Sequence, residues 1–263
     1  RSLYTRPRLR MLLRSTPSDF VFITMNPVTL GFFASLLAGL GTGVGALPVL
    51  LPIHPSQQRQ GLLLGIGGGI MLAATSFSLI LPGTEAATQA GNSPAMAALI
   101  MVLGVLLGGA FLWIAHNTFP HEHIFKGREG PAAANLKRIW LFVIAITLHN
   151  FPEGLAVGVG FGGGEPAGAI ALATGIGIQN IPEGLVVALA LRDLNYAPLY
   201  ALGVSTLTGL VEPLGGLVGA GIVSVAQPLL PWGMGFAAGA MLFVIVNDII
   251  PDIDQKSFGQ NGT

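Results

Sequence analysis

Four ionisable residues fall inside long apolar stretches of the chain: His149, Glu153, Glu183 and Glu212. Such a group in a hydrocarbon layer is costly, so each needs a partner and is a functional candidate by default. No lysine or arginine lies in the interior of the same stretches, Lys137 and Arg138 standing at the very start of one. Protons or bound cations must therefore supply the charge that balances the carboxylates. In His149-Asn150-Phe151-Pro152-Glu153-Gly154 the imidazole and the carboxylate stand four residues apart. That is one helical turn, so they share a face and can grip one ion together. Gln179-Asn180-Ile181-Pro182-Glu183-Gly184 repeats the pattern 30 residues downstream, with an amide in place of the imidazole. Pro152 and Pro182 each remove a backbone donor and free the carbonyls of Leu148 and Ile178. Duplicated motifs on interrupted helices near mid-membrane are where ion sites are built. Glu212, followed by Pro213, adds a third carboxylate in the same setting; its other reading is a protonated helix-packing residue.

The elements that carry these groups follow from composition. Of 263 residues, 52% are hydrophobic and 9% charged, against about 25% charged in a soluble domain. Such a chain cannot cover itself with solvated surface, yet it breaks into runs of the length that crosses a bilayer, about 20 residues. The fold class expected is all-α, a polytopic transmembrane helical bundle. Seven spans are read, near residues 27–47, 61–81, 96–115, 136–161, 167–191, 199–223 and 229–249. Between them stand turn formers: Pro52 and Pro55, Pro82-Gly83, Gly91 to Pro94, Gly162 to Gly164, Asp193 to Pro198, and Pro228 with Pro231. Small residues such as Gly104 with Gly108 and Gly215 with Gly219 suit close helix contacts in lipid. Basic and acidic residues number 12 each, which gives no pointer to nucleic acid, and cysteine is absent. Any metal site must use nitrogen and oxygen ligands.

Basic residues set the orientation, because they are retained on the cytoplasmic side of short loops. Arg59, Lys126, Arg128, Lys137, Arg138 and Arg192 all follow odd-numbered spans, which places those connections inside. Residues 1–24 carry Arg1, Arg6, Arg8, Arg10 and Arg14. They read either as a targeting segment or as an extension upstream of a natural start at Met25, and are set apart from the transmembrane domain at 25–251. A polar segment, 252–263, follows it. On the inner side His116, His121, Glu122 and His123 cluster in one loop and His54 in another, with Asp248 at the inner end of the last span. Solvated loop residues and collectors of emerging metal ions are both open readings.

The motifs HNFPEG, QNIPEG and the later EPLGG, with MLAATSFSLILPG from Met71 to Gly83, resemble the ZIP family of metal transporters, in particular its bacterial GufA-type branch. The resemblance runs from about Pro27 to Pro251. It implies an eight-helix fold, of which the last helix is absent from this chain. It also implies a binuclear site between helices 4, 5 and 6, a homodimer, an elevator-like motion, and uptake of zinc and similar divalent ions (cadmium, iron, manganese) toward the cytoplasm. Carried over by position, His149, Glu153, Gln179 and Glu183 hold one zinc ion, assisted by Met71. Asn150, Glu153, Asn180, Glu183 and Glu212 hold a second. Close relatives can carry Asp where this chain has Asn180, so its second position bears one negative charge less. The resemblance places the chain in a bacterial inner membrane, with an organellar membrane as the alternative.

A metalloprotease would also place His and Glu in a membrane helix, but it needs an H-E-x-x-H pair, and that spacing does not occur here. A metal-selective channel shares every ligand with a carrier, and the residues alone leave the two open.

Overall fold

The structure is a computed structural model that describes residues 26–52, 55–118, 131–164, 166–251 and 253–254. Among the described residues every regular element is helical. Helix α1, Pro27–Ala46, starts where the Asn26 side chain accepts the Val28 N–H at 2.9 Å, with Pro27 in the first turn where no donor is needed. It closes in a 3-10 turn, Leu47–Leu50. Helix α2, Gln57–Ala74, passes through a π-helical turn, Thr75–Ile80, straight into α3, Leu81–Gln89. Pro82-Gly83, expected to close the second span, therefore lies within it. Pro82 sits in the first turn of α3, where its missing N–H is tolerated. The chain reverses instead at Gly91, whose φ of +92° suits glycine.

Helix α4, Pro94–Thr118, and α5, Pro131–Gly162, follow, then α6, Pro166–Asp193. The sixth span was expected as one helix but is two, α7 Pro198–Gly209 and α8 Glu212–Val225. Pro213 has no N–H to offer the Gly209 carbonyl, so the ladder stops and restarts. The Leu210 and Val211 N–H groups turn back to Thr206 and Thr208. Helix α9, Leu230–Val244, follows and runs on through a π-helical turn, Ile245–Ile249.

Six spans are long and apolar enough to cross a bilayer among the described residues. Helix α5, with 32 residues, is about 48 Å long at about 1.5 Å per residue. Large apolar side chains face outward, among them Leu37, Phe77, Leu106 and Leu199, while His149, Asn150, Glu153, Gln179, Asn180, Glu183 and Glu212 are buried. That inside-out distribution suits lipid as the solvent: the chain is a multi-pass integral membrane protein.

Packing divides the helices into two groups. Helices α1, α5, α6, α7 and α8 pack on one another, and α3, α4 and α9 form a second group. The groups meet where α2 lies on α6 and α9 lies on α5. The first contains every buried carboxylate among the described residues.

Candidate metal site

The two N-x-P-E-G motifs lie on neighbouring helices, α5 and α6, and face one another. The His149 Nε2 atom lies 3.3 Å from Glu183 Oε2, across 34 residues of sequence. The Gln179 amide donates to Glu153 Oε1. Each motif therefore reaches the other motif's glutamate. His149, Glu153 and Glu183 each offer a ligand atom within 4.8 Å of the others, and all three are buried. Glu212, at the start of α8, is fully buried and accepts from the Asn180 amide at 2.6 Å. The same amide nitrogen donates at 2.9 Å to the Ala38 carbonyl of α1.

Each motif's glycine fixes how its glutamate meets a third helix. A methyl group at Gly154 would collide with the backbone of Glu212, and one at Gly184 with the backbone of Thr42. Helix α5 thus lies directly on α8, and α6 directly on α1, with no side chain between them.

Charge is unbalanced. The only ion pair among the described residues is His149 with Glu183, so one imidazole faces three buried carboxylates. Burying such charges without partners is strongly unfavourable. The hydrogen bonds follow a rule: Glu153, Gln179, Asn180, Glu183, Glu212 and His149 each commit one polar atom to a neighbour. Their other atoms, Glu153 Oε2, Gln179 Oε1, Asn180 Oδ1, Glu183 Oε1, Glu212 Oε2 and His149 Nδ1, are buried with no hydrogen-bond partner in the protein. Both polar atoms of Asn150 share that condition. Buried polar atoms are almost always satisfied, and here the unsatisfied ones gather on a single group of residues. Carboxylate, amide and imidazole atoms with free lone pairs suit a divalent cation of the zinc, manganese or iron type.

The remaining sequence candidates distribute as follows. Met71 is fully buried on α2, in the apolar core with Leu172 and Ile176. Asp248 is half-buried, and lines with His149, Leu148, Leu112 and Val244 a narrow cavity of 20 Å³. That is room for about one water, and it extends from the imidazole toward the end of the seventh span. His116 falls in the last turn of α4, while His54, His121 and His123 lie outside the described residues. Reasoning from side chains missed the Ala38 carbonyl and the Thr42 backbone, because a backbone contact leaves no residue type to notice.

Comparison with known proteins identifies the family of the chain. Residues 115–261 match the family model described as ZIP zinc transporter. The chain is 48% identical to zinc transporter GufA of Myxococcus xanthus, over 89% of this chain and 92% of that one. It is 47% identical to zinc transporter ZIPB of Bordetella bronchiseptica, over 84% and 72%. Human zinc transporter ZIP11 is more distant, 34% identical over 83% of this chain and 88% of that one.

Proposed function

The chain belongs to the ZIP family of zinc transporters, and from that premise we propose that it carries zinc across a bacterial inner membrane toward the cytoplasm, through two adjoining ion positions. The first position uses His149, Glu153, Gln179 and Glu183. The second uses Asn150, Glu153, Asn180, Glu183 and Glu212. Glu153 and Glu183 bridge the two, which lets two dications share one small volume. The reading is supported most directly by seven buried, unpartnered atoms that can offer a lone pair, one from each of these seven residues. Cadmium, iron(II) and manganese fit the same donor set, whereas copper(I) would want thiolate. Release follows the cavity from His149 to Asp248, with His54, His116, His121 and His123 as collectors on the inner side.

Zinc uptake into proteoliposomes tests the reading. Glu153→Ala and Glu183→Ala should each lower uptake by about 100-fold or more while the protein still inserts, since loss of a single supporting contact at a metal site already costs about 10–100-fold. Uptake at the parent rate in either variant rules out the bridged site.

A further inference from the structure

Among the described residues, one buried polar side-chain atom without a hydrogen-bond partner lies outside the seven residues named above: the hydroxyl Oγ1 of Thr42, on α1. Thr42 is only 1% exposed. A helical threonine usually satisfies its hydroxyl on the carbonyl four residues back, and eight hydroxyls here do so: Ser35, Thr75, Ser76, Thr84, Thr88, Thr147, Thr174 and Thr206. For Thr42 that carbonyl is Ala38. A carbonyl has two lone pairs; one takes the helical N–H of Thr42 itself and the other is taken by Asn180, at 2.9 Å. The residue that displaces the hydroxyl is thus one of the candidate ligands.

The surroundings place the hydroxyl beside the same site. A Cβ built at Gly209 would lie 2.6 Å from Thr42 Oγ1, and one built at Gly39 would lie 3.3 Å from Glu212 Oε1. Gly39 and Thr42 are three residues apart on one face of α1, which sets their Cβ positions about 5 Å apart and puts the hydroxyl on the side of the helix that faces Glu212. Gly209 also carries the carbonyl that Pro213 deprives of its helical donor, so a second acceptor is available at that point. On the α6 side Thr42 meets Gly184, next to Glu183.

We infer that Thr42 belongs to the site as a positioning residue, its hydroxyl holding a water of the cargo ion's hydration shell on the Glu212 side. Helix α1, which contributes no ionisable side chain, thereby completes the second ion position. An oxygen held this way favours ions that keep water, such as manganese, over cadmium. The inference rests on the second position proposed above, and the variants separate the two.

Zinc, manganese and cadmium binding to the purified full chain is measured for the parent, Thr42→Val, Thr42→Ser and Asn180→Ala. Thr42→Val, equal in shape but without the hydroxyl, should weaken the weaker of two zinc-binding steps about fivefold, the size of one hydrogen bond. It should also lower the manganese-to-cadmium preference, leave the tighter step unchanged, and be rescued by Thr42→Ser. If Thr42→Val does not insert, Thr42→Ala is read in the same way. Identical binding and preference in the parent and the hydroxyl-free variant overturns the inference, because the hydroxyl is then a packing group alone. If Asn180→Ala also leaves both steps unchanged, the second ion position itself is wrong.

Discussion

At the scale of single residues, Asn180 links the site to its surroundings, because its amide nitrogen bridges the Ala38 carbonyl and Glu212 while its oxygen stays free. Aspartate at this position would set an acceptor against two acceptors. Asn180→Asp should therefore lower the melting temperature of the ion-free protein, the loss of two buried hydrogen bonds costing about 1–3 kcal/mol. It should also raise the stabilisation gained on adding zinc, through the extra negative charge. Thermal unfolding with and without zinc reads both; a variant less stable without zinc and no better stabilised by it would exclude residue 180 as a ligand. Proton competition acts on the same atoms. Imidazole and carboxylate bind a metal only when deprotonated, so zinc uptake should fall as the outside pH drops through the histidine range, about 7 to 5. Uptake that is flat across this range would mean that ligands are never exposed to outside protons. Most of these residues could be read from the chain because buried ionisable groups are rare in apolar stretches. His149, Glu153 and Glu183 stand out for that reason, and the i, i+4 spacing and the repeat add the geometry. Thr42 could not be read, since a threonine in an apolar helix is ordinary until its carbonyl is seen to be occupied.

At the scale of elements, hydropathy placed seven spans with ends close to those observed, because membrane thickness dictates helix length. It failed where the helix departs from regularity. Residues 210–211 are apolar like their neighbours, so the break before Glu212 has no hydropathy signal, and only Pro213 hints at it. Pro82-Gly83 misled in the opposite sense, since a π-helical turn keeps the second span continuous through it. The glycines of the two motifs were visible but their role was not. Gly154 lies against the Glu212 backbone and Gly184 against that of Thr42. Neither backbone can yield as a flexible side chain would. Gly154→Ala and Gly184→Ala should therefore push α5 from α8 and α6 from α1. Overpacking of this kind costs about 1–3 kcal/mol, and zinc affinity should fall with stability because Glu212 shifts relative to Glu153. Gly203→Ala is the control, since nothing lies within 4 Å of a methyl group there. Equal zinc affinity in all three variants would show that the close helix contacts do not set the site.

At the scale of the whole molecule, the two helix groups suggest how a buried ion is passed from one side to the other. Every unpartnered ligand atom sits in the group made of α1 and α5 to α8, and none of the predicted primary ligands except Met71 lies on α2, α3, α4 or α9. If the fourth, fifth and sixth spans move as a unit against the second, third and seventh, α1 would travel with them, because it packs on α5, α6, α7 and α8. A carrier of this kind must slide along the contact of α5 with α9, whereas a channel can conduct with that contact fixed. Adjacent residues on α5 distinguish the two. Val159 packs against Gly233 of α9, where a built Cβ lies 3.2 Å from its side chain, while a Cβ at Gly160 lies 3.4 Å from that of Ala169 on α6. The second is a separation between Cβ atoms, close to the about 3.5–4.5 Å that a disulfide bridges; the first is measured to Val159 Cγ2, one bond short of its Cβ, which brings that pair to the same range. The chain has no cysteine of its own. Cysteine pairs at 159 with 233 and at 160 with 169 can therefore be oxidised without background. Cross-linking the first pair ties the groups together and should stop zinc flux, with recovery on reduction; the second ties α5 to α6 within one group and should leave flux intact. Undiminished flux with the 159–233 bridge formed would mean that the groups do not slide, and the protein would then be a channel.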